Sequence, residues 1–177
     1  MVPRIAGEED GEFRYPSAKP PDACKLQTLT EDEKVALLRK HNELRGRAAR
    51  GEDGMPKASN MLRMRWDMEL ECVTVCACVG EAVAARWALQ CIDKHDECRE
   101  STRFPVGQNI AWIKPLDLLT MVQNWYNEIM EFYKDNINPF KFKYSAGHYT
   151  QMPLTVLLAL AMVFSKCWDL LCAVTAT

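Results

Sequence analysis

The stretch "PLTVLLALAMVF", Pro153 to Phe164, is an almost unbroken apolar run of twelve residues near the C-terminus. A helix crosses a bilayer with about 20 apolar residues, and Lys166 and Asp169 follow too closely to extend this one. A run of that kind has to be covered by protein, as a buried strand or buried helix, and no stable membrane span is expected. With 177 residues and 48% of them hydrophobic, the chain is long enough to build one sizeable core around it.

Formal net charge is −2, and the longest like-charged stretches are "GEED" (7–10) and the mixed basic segment "LRKHNELRGRAAR" (38–50). That balance offers no footprint for nucleic acid. Eight cysteines, at 24, 72, 76, 78, 91, 98, 167 and 172, favour an oxidising compartment. "MVPRIAGEEDGEFRYPSAKPPDAC" has no apolar h-region and carries acids where a signal peptide is basic, so no secretory signal is read in it. Cys72, Cys76 and Cys78 lack the paired spacing of a structural zinc site.

Residues 1–23, rich in proline, glycine and charge, read as a flexible N-terminal arm. Thr30 and Glu33 then form a capping box that starts a first helix, with Val35, Leu37, Leu38 and Leu44 marking its apolar face to about Ala49. The loop "GEDGMPKASN" (51–60) ends it. A second helix is expected from Asp67, but "CVTVCACVGE" (72–81) throws its apolar stripe off by about 80° between Leu70 and the pair Val83 and Trp87. That segment is β-branched, cysteine-rich and poorly suited to a helix interior, and it reads as an insertion. A third helix is predicted from about Leu116 to Tyr133, with Leu118, Val122, Trp125, Ile129 and Phe132 on one face and Glu128 at its edge. Asn138 and Pro139 mark a turn beyond it.

Four stretches stand out together: "KHNELR" (40–45), "ASNMLRMRWDMEL" (58–70), "RWALQCIDKH" (86–95) with "VGQNIAW" (106–112), and "NWYNEIMEFY" (124–133) with "GHYTQM" (147–152). In this order they resemble the CAP superfamily of cysteine-rich secretory proteins, venom allergens and pathogenesis-related proteins, with a domain over 24–152. The resemblance implies an α+β fold, a three-layer α-β-α sandwich, and an extracellular, disulfide-bonded protein. It also implies a cleft formed by His95, Gln108, Glu128 and His148. Gln108 stands where many relatives have glutamate, and a glutamine is no general base and adds no charge. His95 and His148 are the implied metal ligands, for zinc or another divalent cation, with Glu128 as a third ligand or a tautomer-fixing partner. A small apolar ligand, a sterol or fatty acid, is the other implied partner.

Two further functions compete with this reading. One is a metal-assisted His/Glu hydrolase using His95, Glu128 and His148; no serine or cysteine nucleophile is placed beside them by motif, so no catalytic residue is assigned. The other is a purely structural or antigenic module. His41 reads as a structural hydrogen-bonding residue, and Trp66, Trp87, Trp112 and Trp125 as core. After Met152 the resemblance stops: residues 153–177 read as a divergent apolar tail, Pro153 removes a ladder donor, and a disrupted C-terminal strand region is expected, as in an aberrant splice form.

Overall fold

The computed structural model describes residues 26–27, 29–66, 94–95, 106–112, 116–152, 159–165 and 170–176. The N-terminal arm, the expected second helix, the segment 72–81 and Pro153 lie outside them.

Helix α1 spans Glu31–Arg50 and begins as its sequence dictates. The Thr30 hydroxyl accepts from the Glu33 amide at 3.2 Å, while the Glu33 carboxylate accepts from the Thr30 amide at 2.7 Å. Three acidic residues in the first turn and Arg47 and Arg50 in the last complement the helix dipole. Gly51 closes it at φ 71°, where a Cβ would also sit 2.6 Å from the Met55 carbonyl oxygen. The buried face is Leu37, His41, Leu44, Arg45 and Ala48. Val35, expected on that face, is 62% exposed. It lies nine residues before Leu44, about 180° around the helix at 100° per residue, so the two cannot share a face.

Helix α2, Leu118–Asn127, is capped by the Asp117 side chain, which accepts from the Thr120 amide at 3.0 Å. The predicted stripe is confirmed at Val122, Trp125, Ile129 and Phe132, all buried. The helix is shorter than expected, tightening into a 3₁₀ turn over Glu128–Glu131. The bend falls where the Glu128 carboxylate is tied to the following element, the short helix α3, Gly147–Gln151. Helices α1, α2 and α3 enclose one core, in which fully burying Leu44 or Val122 contributes about 1.5–3 kcal/mol each.

One mixed sheet completes the fold. Its strands are β1 (Leu26–Gln27), β2 (Arg65–Trp66), β3 (Val106–Trp112), β4 (Ala159–Ser165) and β5 (Leu170–Ala176). Strand β5 is antiparallel to β3 on one side, from Val106↔Ala176 to Trp112↔Leu170, and to β4 on the other, from Ala159↔Ala176 to Ser165↔Leu170. The far edge of β4 is covered at one end by β1, antiparallel, and at the other by β2, parallel. Residues after Met152 therefore supply a strand with partners along both of its edges and the strand that joins it to β3. The expected disruption of the C-terminal strand region is corrected. Strand β4 starts at Ala159, six residues after Pro153. The second half of the apolar run, residues 159–164, is placed in the sheet as part of β4. No helix among the described residues is long and apolar enough to cross a bilayer.

Candidate functional site

The "HNELR" stretch on α1 turns out to be a set of ties. His41 is 2% exposed and its Nδ1 donates to the Leu37 carbonyl at 2.9 Å; burial lowers its pKa to about 4, so it is neutral near pH 7. The structural reading of His41 holds. Asn42 pairs with the backbone of Met64 in both senses, donating at 3.2 Å and accepting at 2.8 Å. Buried Arg45 donates to the carbonyl of Leu62 at 2.7 Å and to that of Met152 at the end of α3. Burial lowers its pKa to about 10, which leaves it charged at neutral pH. Asp53, in the loop after α1, accepts from Arg47 at 2.6 Å and from the Tyr126 hydroxyl on α2 at 2.7 Å. Burial and the adjacent Asp53 carboxylate push the Tyr126 phenol upward.

These ties seat α3, and α3 carries His148. The helix has no side-chain cap of its own at Ala146. Glu128 serves instead: one carboxylate oxygen accepts from the amides of His148 at 2.9 Å and Tyr149 at 3.2 Å, and the other accepts from His148 Nδ1 at 2.6 Å. A carboxylate at the first amides of a helix is favoured by their unpaired N–H groups and the dipole. The His148 ring stacks on Trp125 with centroids 6.0 Å apart and 24° between planes. Tyr149 beside it is buried against Tyr126 and Phe132. Side-chain exposures of 34% for His148 and 25% for Glu128 leave the pair open to solvent on one side.

The second pair lies at β3. Gln108, 6% exposed, offers its Oε1 to Nδ1 of exposed His95 at 3.1 Å. The neighbouring Asn109 donates from its amide to the His148 carbonyl at 3.1 Å, so consecutive strand residues are bonded to each histidine. Gly107 allows the close approach: a Cβ there would overlap the Gln151 side chain of α3, 1.6 Å from its Nε2.

All four expected cleft residues are thus engaged, in two pairs: His95 with Gln108 and His148 with Glu128. Both partners accept at Nδ1. In the neutral ring that leaves Nε2 of each histidine with its lone pair, the form in which imidazole binds a metal. Among the described residues no three histidine, cysteine or acidic side chains are grouped to hold an ion. The expected third ligand, Glu128, is occupied as a helix cap and histidine partner. Reading the sequence missed Asn109 and assigned Trp125 to the core alone. Their signals were adjacency to Gln108 within "VGQN" and the three-residue spacing from Trp125 to Glu128 on one helix face.

Comparison with known proteins places this geometry. The chain matches the cysteine-rich secretory protein family, CAP, over residues 38–172, and it belongs to that family. Among curated relatives, venom allergen 5 of Rhynchium brunneum is 38% identical over 136 residues, covering 70% of this chain and 55% of the relative. Venom allergen 5 of Tityus serrulatus is 33% identical over 156 residues, covering 81% and 33% respectively. The chain thus spans only about a third to a little over half of these curated relatives. Among solved structures, Na-ASP-1 superposes with a TM-score of 0.64 at 25% identity, covering 97% of this chain and 43% of that one. The Schistosoma mansoni venom allergen-like protein 4 gives 0.64 at 20%, covering 84% and 89%. A structure of NaASP2 with Zn2+ gives 0.58 at 21%, covering 88% and 82%. The fold is a mixed α+β fold of the CAP type, and the family match runs through β4 and into β5.

Proposed function

We propose that this chain is a secreted, non-enzymatic CAP-domain protein with the three-layer α-β-α arrangement of its relatives, binding a divalent cation such as zinc between His148 and His95. The observation that carries this reading is the commitment of Glu128. With two backbone amides and one imidazole N–H already on its oxygens, it orients His148 rather than acting as a mobile base. The Thr150 hydroxyl in α3 donates to the Gly147 carbonyl at 2.9 Å rather than to His148. The NaASP2 structure with Zn2+ supports the choice of cation. The residues fit a metal as a two-nitrogen, open site: the histidines supply the donors, Glu128 and Gln108 hold the tautomers, and a bound ion would supply charge without a full protein shell. The eight cysteines suit an extracellular setting.

A small apolar ligand is the second part of this proposal. A cavity of ≈ 510 Å³ between α1 and α2 is lined by Ala36, Leu119, Thr120 and Gln123 together with Arg39, Lys40 and Glu43. Its two cations outnumber the one acid, which favours a fatty acid over a sterol.

Zinc titration by calorimetry tests the metal. Micromolar-to-millimolar affinity is expected, lost in His148→Ala and in His95→Ala, and weakening as the pH falls because protons compete for Nε2. Affinity unchanged by both substitutions would remove the site. Peptide or ester cleavage abolished by His148→Ala would replace the binding reading with the hydrolase.

A further inference from the structure

A separate cavity of ≈ 420 Å³ lies between the second half of α1 and the segment 61–63. Three arginines line it, Arg39, Arg45 and Arg63, against a single acid, Glu43. Arg45 is 2% exposed, fixed by the carbonyls of Leu62 and Met152 and charged at neutral pH, so it is a stationary positive charge within the wall. Arg39 and Arg63 are exposed, and neither guanidinium makes an ion pair or hydrogen bond among the described residues. Glu43 lies 3.9 Å from Lys40, its partner three residues earlier on the helix. The rest of the lining, Asn42, Gly46, Ala49, Met61 and Leu62, is uncharged.

Two unpaired planar guanidinium groups at the mouth of a concave site, over a third that cannot move away, make a field that favours an anion with several oxygens. The volume falls within the range of about 300–1,000 Å³ typical of small-molecule sites. A monocarboxylate can satisfy one arginine fork; a tetrahedral dianion presents enough oxygens for two at once. We infer that this cavity binds a phosphomonoester group, with Arg39 and Arg63 as its direct ligands and Arg45 as the fixed charge behind them. The site is distinct from the histidine cleft. Arg39 also borders the cavity between α1 and α2, whereas Arg63 lines only this one, so Arg63 separates the two.

The test titrates inorganic phosphate and glycerol phosphate into the full chain at pH 7.5 and low salt, followed by calorimetry and by the Arg63 side-chain NMR signal. Expected are saturable binding of both, about tenfold weaker or more in Arg63→Ala, lost in Arg39→Ala with Arg63→Ala, and a few-fold tighter in Glu43→Gln, roughly what removing one like charge supplies. Lys141→Ala, an equal loss of charge on a distant exposed loop, should leave binding unchanged. Both arginines are exposed, and circular dichroism of the variants checks that they fold. Sedimentation with phosphatidylcholine vesicles carrying phosphatidic acid distinguishes the sources. Co-sedimentation lost on the double substitution assigns the group to a lipid headgroup, and glycerol phosphate binding without it assigns a soluble ligand; both support the site. Absence of phosphate binding, retention of it in the double variant, or an equal loss in Lys141→Ala would overturn the inference.

Discussion

The two histidine pairs resemble each other in chemistry and differ in support. His148 sits on a helix whose first amides are held by its own partner, its ring is stacked on buried Trp125, and Arg45 anchors the far end of α3. His95 is exposed, and its partner is the uncharged amide of Gln108. The difference teaches that a carboxylate here does structural work which an amide at position 108 is not asked to do. Glu128 accepts from three donors on one helix, whereas Gln108, seated on β3, meets the His95 ring with an amide oxygen.

The largest effect expected from breaking this asymmetry is at Glu128. Glu128→Ala strands two helix-terminal amides and one imidazole N–H, and should lower unfolding free energy by about 2–5 kcal/mol in urea denaturation. Zinc affinity should also drop by about ten- to a hundredfold. A loss no greater than that of Gln108→Ala would show that the two pairs are equivalent after all.

His41 sharpens the contrast, being a third histidine placed for packing alone. Its folded pKa of about 4 lies below the usual value of 6.5, so between those pH values the unfolded chain takes up a proton that the folded one does not. Stability contributed by neutral His41 is present above pH 6.5 and is lost as the pH falls toward 4, by up to about 3 kcal/mol. Chemical denaturation from pH 7 to 4 should show this slope in the native chain and a shallower one in His41→Gln. Identical slopes would count against a buried neutral ring.

Next in size is Gly107→Ala, which forces the end of the Gln151 side chain off β3. Because that end is flexible, a loss of about 1–2 kcal/mol is expected in thermal melts, with weaker packing of α3 on the sheet. Gln108→Ala should be the smallest, about 1 kcal/mol or less, because His95 is exposed and can turn its Nδ1 to water. Zinc affinity should fall as well in that variant, since the bond that orients the His95 ring is lost.

Much of the helical half was legible beforehand because it follows from local periodicity and short-range hydrogen bonding. The Thr30–Glu33 capping box and the stripe Val122, Trp125, Ile129, Phe132 appear as read. Val35 falls outside the buried face because nine residues separate it from Leu44, about half a turn around the helix. The four cleft residues came from motif resemblance, and all four are engaged, but their pairing was not legible: nothing local says that Glu128 caps a helix twenty residues away.

The C-terminal segment shows the boundary most clearly. Its composition alone determined that residues 153–164 must be covered by protein, since twelve apolar residues are too few to cross a membrane and too many to leave in water. Whether that burial means a broken end or a strand inside the sheet was decided by β5, which pairs with β4 on one edge and β3 on the other through backbone groups that every residue carries alike. In the same way, the identities of His148 and Glu128 were plain from the sequence. The tautomer of His148, with its proton on Nδ1, is favoured because tertiary packing sets a carboxylate 2.6 Å from that nitrogen.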